Sequence, residues 1–470
     1  MTVSRLIFPA IRWRDDTGFD HEWESIRQGL ELDVGGFIIF GGPAEAVRAL
    51  TTRLRREAGR PLLLAADLER GAGQQFDGLT QFPPPRALTA LDRPEVTRWA
   101  GEVTAHEARG VGVNWVFAPV ADLDLLPENP IIQTRAFAAD PALAARHVAA
   151  WIEGCQAAGA LACAKHYPGH ARTTADSHLT LPIVSASREQ LAVDMVPFRA
   201  AMEAGVASLM TAHVSYPALD PSGLPPTLSS VILGELRQGG FNGLVVSDAL
   251  IMEAALAGRS EADAAVAALV AGVDILLYPQ DTVAVAAALT AAFTSGRLPA
   301  ARVEEAQRRY ERALLSVEAP PPPLQRAPFD SAPALADALI AAGVTRARLG
   351  QLRAPIELVT VDDDLGGPYA PVPSDAVAAT LTALGVSLGS GGSRVVLAFA
   401  EPRAWKGRAG FGDASRAALQ EGVPGSDLTV LFGHPRLVGE IPGDGAVLVA
   451  WHRQRLMQSA VGRWLNERSR

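Results

Sequence analysis

The segment from residue 164 to residue 182 contains the densest set of side chains that could carry out chemistry. Lys165 and His166 end an apolar run, and the loop that follows carries Asp176 and His178. A carboxylate two residues before an imidazole can accept the ring Nδ1–H, which fixes the tautomer and leaves Nε2 to donate or accept a proton. Since the reference pKa of histidine is about 6.5, we predict that His178 acts as both acid and base near neutral pH.

A zinc site is an alternative interpretation of the same segment, because it holds three histidines and an aspartate. A proline and a glycine lie between His166 and His170, so these two imidazoles do not share one face of a helix. The chain's two cysteines, Cys155 and Cys163, stand in apolar context without ligand-like spacing to the histidines, which indicates two buried thiols. We therefore expect no metal and no other cofactor.

A second reactive group is Asp248, which directly follows the apolar run from residue 241 to residue 247. A carboxylate in that place could cap a helix, which is worth about 1 kcal/mol. It could also be a nucleophile. Together with an acid/base such as His178, it would supply what glycosyl transfer through a covalent intermediate requires.

Eight short apolar runs within residues 1–318 alternate with longer amphipathic patterns. The runs, each predicted to be a strand, are Leu6–Trp13, Gly36–Phe40, Pro61–Asp67, Val113–Asp122, Ala160–Tyr167, Ser208–Val214, Gly243–Asp248 and Asp274–Tyr278. The helical patterns between them include Ala44–Ala58, Glu95–Arg109, Ala142–Ala157, Arg188–Glu203 and Ser260–Ala271. Apolar strands that alternate with helices indicate a parallel sheet covered on both faces. Eight such units fit a (β/α)8 barrel of the TIM type, and a doubly wound open sheet is the competing fold.

Polar side chains end six of these runs and favour the barrel. They are Asp67, Asp122, Lys165 with His166, His213, Asp248 and Tyr278. In a barrel the carboxyl ends of all strands meet at one mouth, where the active sites of this fold lie. An open sheet would instead spread these side chains along an edge.

The proline run from residue 320 to residue 323 marks a boundary, since proline tracts are stiff and break helices. We predict a catalytic barrel at residues 1–318, a linker at 319–332 and a smaller α/β sandwich domain at 333–470. The sandwich is predicted from the strands Ile356–Asp362, Arg394–Ala400, Asp427–Phe432 and Ala446–Trp451 and the helices Ala332–Ala342 and Asp375–Leu384.

Composition excludes several classes of partner. The 470 residues carry 42 basic and 51 acidic side chains, a net charge of −9, which argues against nucleic acid or an anionic membrane as a partner. Two cysteines cannot form a disulfide scaffold. Without a basic segment followed by a long apolar one at its start, and without a run of about 18 uncharged apolar residues, the chain is expected to be cytoplasmic.

These motifs together resemble glycoside hydrolase family 3, in its β-N-acetylglucosaminidase branch. The most specific part is Lys165-His-Tyr-Pro-Gly-His170 followed by Asp176-Ser-His178, with Ser247-Asp248 as a second part. Further matches in the family's order are Phe37–Gly42, Phe117–Asp122, Asn129–Phe137 and Met210–His213. The resemblance covers essentially all of residues 1–318.

The resemblance implies a role for each matched residue. Asp248 corresponds to the nucleophile, and His178, oriented by Asp176, to the acid/base. The residues that resemble those holding the sugar hydroxyls are Asp67, Arg135, Lys165 and His166, with His213 as a neighbour. The implied reaction is retaining hydrolysis of terminal β-linked N-acetylglucosamine from muropeptide or chitooligosaccharide fragments.

Three other functions stay open at this point. They are a β-glucosidase or β-xylosidase of the same family, phosphorolytic cleavage of N-acetylglucosaminides, and a degenerate barrel that binds sugar without turnover. Ala72 stands where the family usually has an arginine, which Arg70 could replace, and this is the support for degeneracy. The C-terminal part resembles the second domain of longer members. In β-glucosidases that domain delivers the acid carboxylate, which His178 makes unnecessary here. The oligomeric state is left open, and a monomer is compatible with the sequence.

Overall fold

The computed structural model describes residues 2–174, 181–324, 327–345, 349–364, 372–401 and 406–469. The acid/base pair predicted from the sequence, Asp176 and His178, lies outside the described residues. The chain divides into two compact units. The first contains Met1–Thr80, Pro94–Leu125 and Phe137–Arg326, and the second contains Gln81–Arg93, Leu126–Ala136 and Ala327–Arg470. Two segments from the first half of the sequence therefore group with the C-terminal part, which the sequence pattern did not indicate.

Nine strand segments build the sheet of the first unit. They are β1 (Ile7–Phe8), β2 (Ala10–Arg12), β3 (Gly36–Phe40), β4 (Leu63–Ala66), β5 (Trp115–Val116), β6 (Leu161–Tyr167), β7 (Ser208–Thr211), β8 (Leu244–Ser247) and β9 (Leu276–Leu277). β1 and β2 are one predicted strand, which Pro9 interrupts because it has no N–H for the ladder. All pairings within this sheet are parallel, and β2 to β8 are neighbours in chain order.

The sheet closes into a ring. β9 pairs with β1 in parallel, with Ile7 opposite Leu276, and a bridge between Val246 and Ile275 joins β8 to the chain that enters β9. The Ser247 N–H donates to the Ile275 carbonyl at 2.9 Å. The predicted (β/α)8 barrel is thus confirmed, and the carboxyl ends of its strands converge on one mouth.

Helices cover the outside of this ring. Those of the first unit are α1 (Trp23–Glu31), α2 (Ala44–Ala58), α4 (Pro94–Gly110), α5 (Pro141–Ala157), α6 (Arg188–Asp194), α7 (Val196–Glu203), α8 (Ser230–Gln238), α9 (Glu253–Leu256), α10 (Glu261–Ala271), α11 (Thr282–Thr294) and α12 (Ala300–Ser316), while α3 (Pro85–Leu88) belongs to the second unit. The predicted helix over residues 188–203 is two helices, because Pro197 cannot donate a backbone hydrogen bond to the preceding turn.

Side-chain caps fix where several of these helices begin. Asp140 accepts the N–H of Leu143 at the start of α5, and Asp281 accepts that of Ala284 at the start of α11. Each cap satisfies a donor that the first helical turn leaves unpaired.

The barrel interior is filled by large apolar side chains. Trp115 is fully buried, its ring lies 5.5 Å edge-on from that of Phe8, and its Nε1–H donates to Ser208 Oγ at 2.9 Å. Both cysteines are buried free thiols, as expected. The barrel is a packed core, so ligands can enter only at its ends.

The second unit is built on a five-stranded sheet in the order β10, β14, β13, β12, β11. The strands are β10 (Val344–Thr345), β11 (Ile356–Asp362), β12 (Ser393–Ala400), β13 (Leu428–Gly433) and β14 (Val447–Val449). β10 is antiparallel to β14 and the other pairings are parallel. The helices are α13 (Ala332–Ala342), α14 (Ala376–Ala383), α15 (Asp413–Gly422) and α16 (Arg455–Arg468).

Helices lie on both faces of this sheet, as the predicted sandwich requires. Leu397 of β12 packs in a core with residues of α13, α14 and α16, whereas its neighbour Val396 packs in the opposite core with α15. Successive strand residues point to opposite faces, which explains the alternation. α16 was not predicted from the sequence, although Met457, Val461 and Trp464 have helical spacing and are buried.

Candidate active site

Lys165 ends β6 as a buried cation held by two carboxylates. Its Nζ lies 2.6 Å from Asp67 Oδ1 and 2.8 Å from Glu69 Oε1. Only 3% of the lysine side chain is exposed, compared with 29% of that of Asp67. A buried ammonium needs such partners because desolvation is costly. The pairing fixes Asp67 at the end of β4 while leaving part of its carboxylate accessible to a ligand.

Asp122 organises the start of the loop after β6. Its Oδ2 lies 2.7 Å from His166 Nδ1, and both of its oxygens accept the backbone N–H of His166. Its Oδ1 also accepts the N–H of His170 at 2.6 Å. The carboxylate has no exposed surface, and because a carboxylate only accepts, His166 Nδ1 carries the proton of this bond. The sequence placed Asp122 at a strand end, but it did not indicate these partners.

Asp248 follows β8, as the sequence predicts. It does not cap a helix, because α9 begins only at Glu253 after Met252. Its Oδ1 accepts the N–H of Ala249 at 2.7 Å. Burial raises the pKa of Asp248, but the nearby His166, the Ala249 N–H and the charge of Lys165 outweigh that effect and hold this pKa below its usual value. The group is therefore a carboxylate at neutral pH, the form that a nucleophile requires.

His213 is buried next to this carboxylate and hydrogen-bonded through both ring nitrogens. Nδ1 lies 2.9 Å from the Thr227 hydroxyl, and Nε2 lies 3.2 Å from the carbonyl oxygen of Ala249. Since a carbonyl only accepts, Nε2 carries the proton and Nδ1 accepts from Thr227. Burial lowers the pKa of His213, which favours this neutral form. A sugar hydroxyl would have to displace one of these bonds to reach the ring.

His170 is the third imidazole of this region. Its Nδ1 lies 2.5 Å from the Thr173 hydroxyl, and its ring stands edge-on to that of His166 at 5.9 Å. Burial lowers the pKa of His170 to about 4, so the ring is neutral at neutral pH. Within the described ranges, no group of three or more histidine, cysteine, aspartate or glutamate side chains is arranged to hold a metal ion.

The structure thus brings together five of the predicted site residues, whereas Asp176 and His178 lie outside the described residues. Lys165, His166 and His213 all act electrostatically on Asp248, and Asp67 is paired with Lys165. The described residues of the second unit include Arg135, on the turn Gln133–Arg135. Glu69 was missed as a partner of Lys165, although its place two residues after Asp67 puts both carboxylates on one side of an extended chain.

A closed (β/α)8 barrel whose mouth holds an ionised carboxylate, a paired lysine and an imidazole of fixed tautomer defines an enzyme for a polar substrate. Residues 24–313 match the family model described as "Glycosyl hydrolase family 3 N terminal domain". The chain belongs to glycoside hydrolase family 3, as the sequence motifs indicated, and it is a glycoside hydrolase. No helix among the described residues has the length and apolar character needed to cross a membrane.

Individual proteins show which members of the family this chain is similar to. A β-hexosaminidase from Thiobacillus denitrificans is 40% identical over 258 residues, which cover 52% of this chain and 71% of that protein. A β-N-acetylglucosaminidase/β-glucosidase from Cellulomonas fimi is 34% identical over 290 residues, or 59% of this chain and about half (51%) of that relative. The structure of a family 3 β-N-acetylglucosaminidase from Paenibacillus sp. FPU-7 superposes with a TM-score of 0.85 at 26% identity. That match covers 100% of this chain and 96% of the other.

Proposed function

We propose that the chain is an exo-acting, retaining β-N-acetylglucosaminidase. It removes terminal β-linked N-acetylglucosamine from muropeptide or chitooligosaccharide fragments, and its proposed role is the recycling of peptidoglycan in the cytoplasm. The observation that carries the proposal is Asp248, an ionised carboxylate at the mouth of the barrel beside His166 and Lys165. The similarity to the Thiobacillus β-hexosaminidase and the Paenibacillus β-N-acetylglucosaminidase supports the choice of sugar.

In the proposed first step Asp248 attacks the anomeric carbon. The N–H of Ala249 holds Oδ1, so Oδ2 is the oxygen that forms the glycosyl ester. Because its pKa is lowered, the carboxylate needs no deprotonation before attack. The bond to the leaving oxygen breaks as the ester forms, and the configuration at the anomeric carbon is inverted once.

The proposed acid/base is His178, with Asp176 accepting its Nδ1–H. His178 Nε2–H protonates the leaving oxygen in the first step. In the second step the neutral Nε2 takes a proton from water, which attacks the ester and inverts the anomeric carbon a second time. Two inversions give net retention. This assignment rests on the Asp-x-His motif and the family pattern.

Four residues are proposed to bind the sugar in the −1 subsite. Lys165 and Asp67 form a cation–carboxylate pair that can donate to and accept from neighbouring hydroxyls. His166 has Nε2 left for a sugar hydroxyl because Asp122 occupies Nδ1. Arg135 is the fourth. His213, which the sequence grouped with them, is proposed to hold the backbone at Ala249 instead of contacting the sugar.

Rates on matched aryl glycosides test the proposal. The N-acetylglucosaminide should be cleaved with a kcat/KM well above those of the glucoside and the xyloside, and the first-formed product should be the β-anomer by NMR. A higher kcat/KM for the glucoside would favour the β-glucosidase alternative. The test includes this alternative because the Cellulomonas relative is named for both activities. Sugar 1-phosphate in phosphate buffer would indicate phosphorolysis. Sugar binding without any product would indicate a degenerate barrel.

A further inference from the structure

Arg135 lies in a loop of the second unit that is stabilised by hydrogen bonds within the loop. In the sequence it lies between β5 and α5, yet residues 126–136 group with the C-terminal sheet. Asn129 Oδ1 accepts the N–H groups of Ile131 and Ile132 at 3.0 and 2.9 Å. The Arg135 N–H donates to the Ile132 carbonyl at 2.8 Å. The position of the Arg135 backbone therefore depends on the conformation of this loop.

Gln133 ties the loop to the C-terminal part of the chain. Its side chain is fully buried, and Nε2 donates to the carbonyls of Asn129 and Ala409 at 3.1 and 3.2 Å. Its φ is +40°, a conformation that a non-glycine residue adopts only where the surroundings hold it. The bond to Ala409 supplies part of that support from a residue 276 positions later in the chain.

Arg436 makes a second tie. Its Nη1 donates to the Leu126 carbonyl at 2.9 Å, where the loop begins. The guanidinium is aimed by His434, whose Nδ1 accepts from both the backbone N–H and Nε of Arg436 at 3.1 and 3.0 Å. His434 is buried and directly follows β13. The residues that follow β13, the central strand of this sheet, thus hold the start of the loop.

We propose that Gln133 and Arg436 are positioning residues for Arg135, because each bonds to the loop that carries it. The inference rests on the sugar-binding role of Arg135 under the proposed function. Neither residue is expected to touch the sugar.

The experiment compares Arg436→Gln with Arg416→Gln in the full chain. Arg416 lies on α15 of the same unit, is half exposed and pairs with Glu440 and Asp413, so it is the matched control. We expect Arg436→Gln to raise KM for the aryl N-acetylglucosaminide about tenfold with a smaller change in kcat, since one charge-assisted hydrogen bond is lost. Arg436→Lys should restore part of the loss, and Arg416→Gln should leave KM unchanged.

A double-mutant cycle shows whether the effect runs through Arg135. In an Arg135→Ala background, Arg436→Gln should have no further effect on KM, because the side chain that it positions is gone. An equal effect in both backgrounds would overturn the positioning role. Gln133→Ala should behave in the same way.

Amide hydrogen exchange separates this inference from the proposed function. Arg436→Gln should speed the exchange of the Ile131, Ile132 and Arg135 amides compared with Arg416→Gln, and unchanged exchange would overturn the inference. If Arg135→Ala leaves KM unchanged, the sugar-binding role of Arg135 is wrong, and the inferred route to the sugar fails with it. The exchange result then still shows whether Arg436 holds the loop.

Discussion

His166 Nδ1 lies 2.7 Å from Asp122 Oδ2, and the same buried carboxylate accepts the backbone N–H groups of His166 and His170. One side chain from the segment after β5 therefore places the proton on His166 Nδ1 and sets the path of the loop after β6. That loop leads to the predicted acid/base, so Asp122 links the barrel frame to the chemistry.

Asp122→Asn should lower kcat/KM by about 10- to 100-fold. Asparagine accepts only through its Oδ1, so its NH2 group would face one of the N–H donors of His166 or His170 without forming a hydrogen bond. The proton on His166 Nδ1 would then no longer be held in place. Steady-state kinetics on an aryl N-acetylglucosaminide measure the effect. An unchanged kcat/KM would show that the tautomer of His166 does not matter to turnover.

Lys165→Met should lower the free energy of unfolding by about 3 kcal/mol, because it removes the cation from between Asp67 and Glu69 in a buried place. The control is Arg53→Gln, which breaks the exposed Arg53–Glu57 pair on α2 and should cost less than about 1 kcal/mol. Urea denaturation followed by circular dichroism measures both. Equal losses in the two variants would contradict the burial argument.

The stability of the protein should fall as the pH is lowered from about 6.5 to about 4, in part because of His170. Its pKa is about 4 in the folded chain, below the 6.5 expected when unfolded, so in that window the unfolded chain binds the extra proton. His170→Gln should flatten the dependence in urea unfolding at a series of pH values. An equally steep decline in that variant would show that other groups cause it.

Thr227→Val should lower kcat several-fold and leave KM nearly unchanged. The change removes the donor to His213 Nδ1, and His213 in turn holds the carbonyl of Ala249 next to Asp248. Thr290→Val, at an exposed position on α11, is the matched control. A rise in KM without a change in kcat would instead support the sugar contact that the sequence assigned to His213.

Much of the fold follows from local patterns in the sequence. The barrel strands are apolar runs that end in polar residues, and Asp67, Lys165 and Asp248 could be placed at one mouth because parallel strands end together there. The break at Pro197 was not predicted, although the missing N–H of proline is a local signal for it. Each of these features depends on residues that are close together in the sequence.

Contacts between distant residues were not readable from one sequence. Asp122 meets His166 across 44 positions, and Gln133 meets Ala409 across 276, and nothing in the local pattern of either segment names its partner. The grouping of the Arg135 loop with the C-terminal sheet depends on such bonds. The partners of His213 could not be predicted either, because its ring nitrogens bond to Thr227 and Ala249, which are distant in the sequence.

The central claim is that Asp248 forms the glycosyl-enzyme, and covalent trapping tests it most directly. The full chain is treated with a 5-fluoro-N-acetylglucosaminyl fluoride, which forms the ester faster than water can cleave it, and is then digested and analysed by mass spectrometry. The account predicts one added sugar on the peptide that contains Asp248, and no adduct in Asp248→Ala. An adduct on a different carboxylate, or turnover by Asp248→Ala at the rate of the unmodified chain, would contradict it.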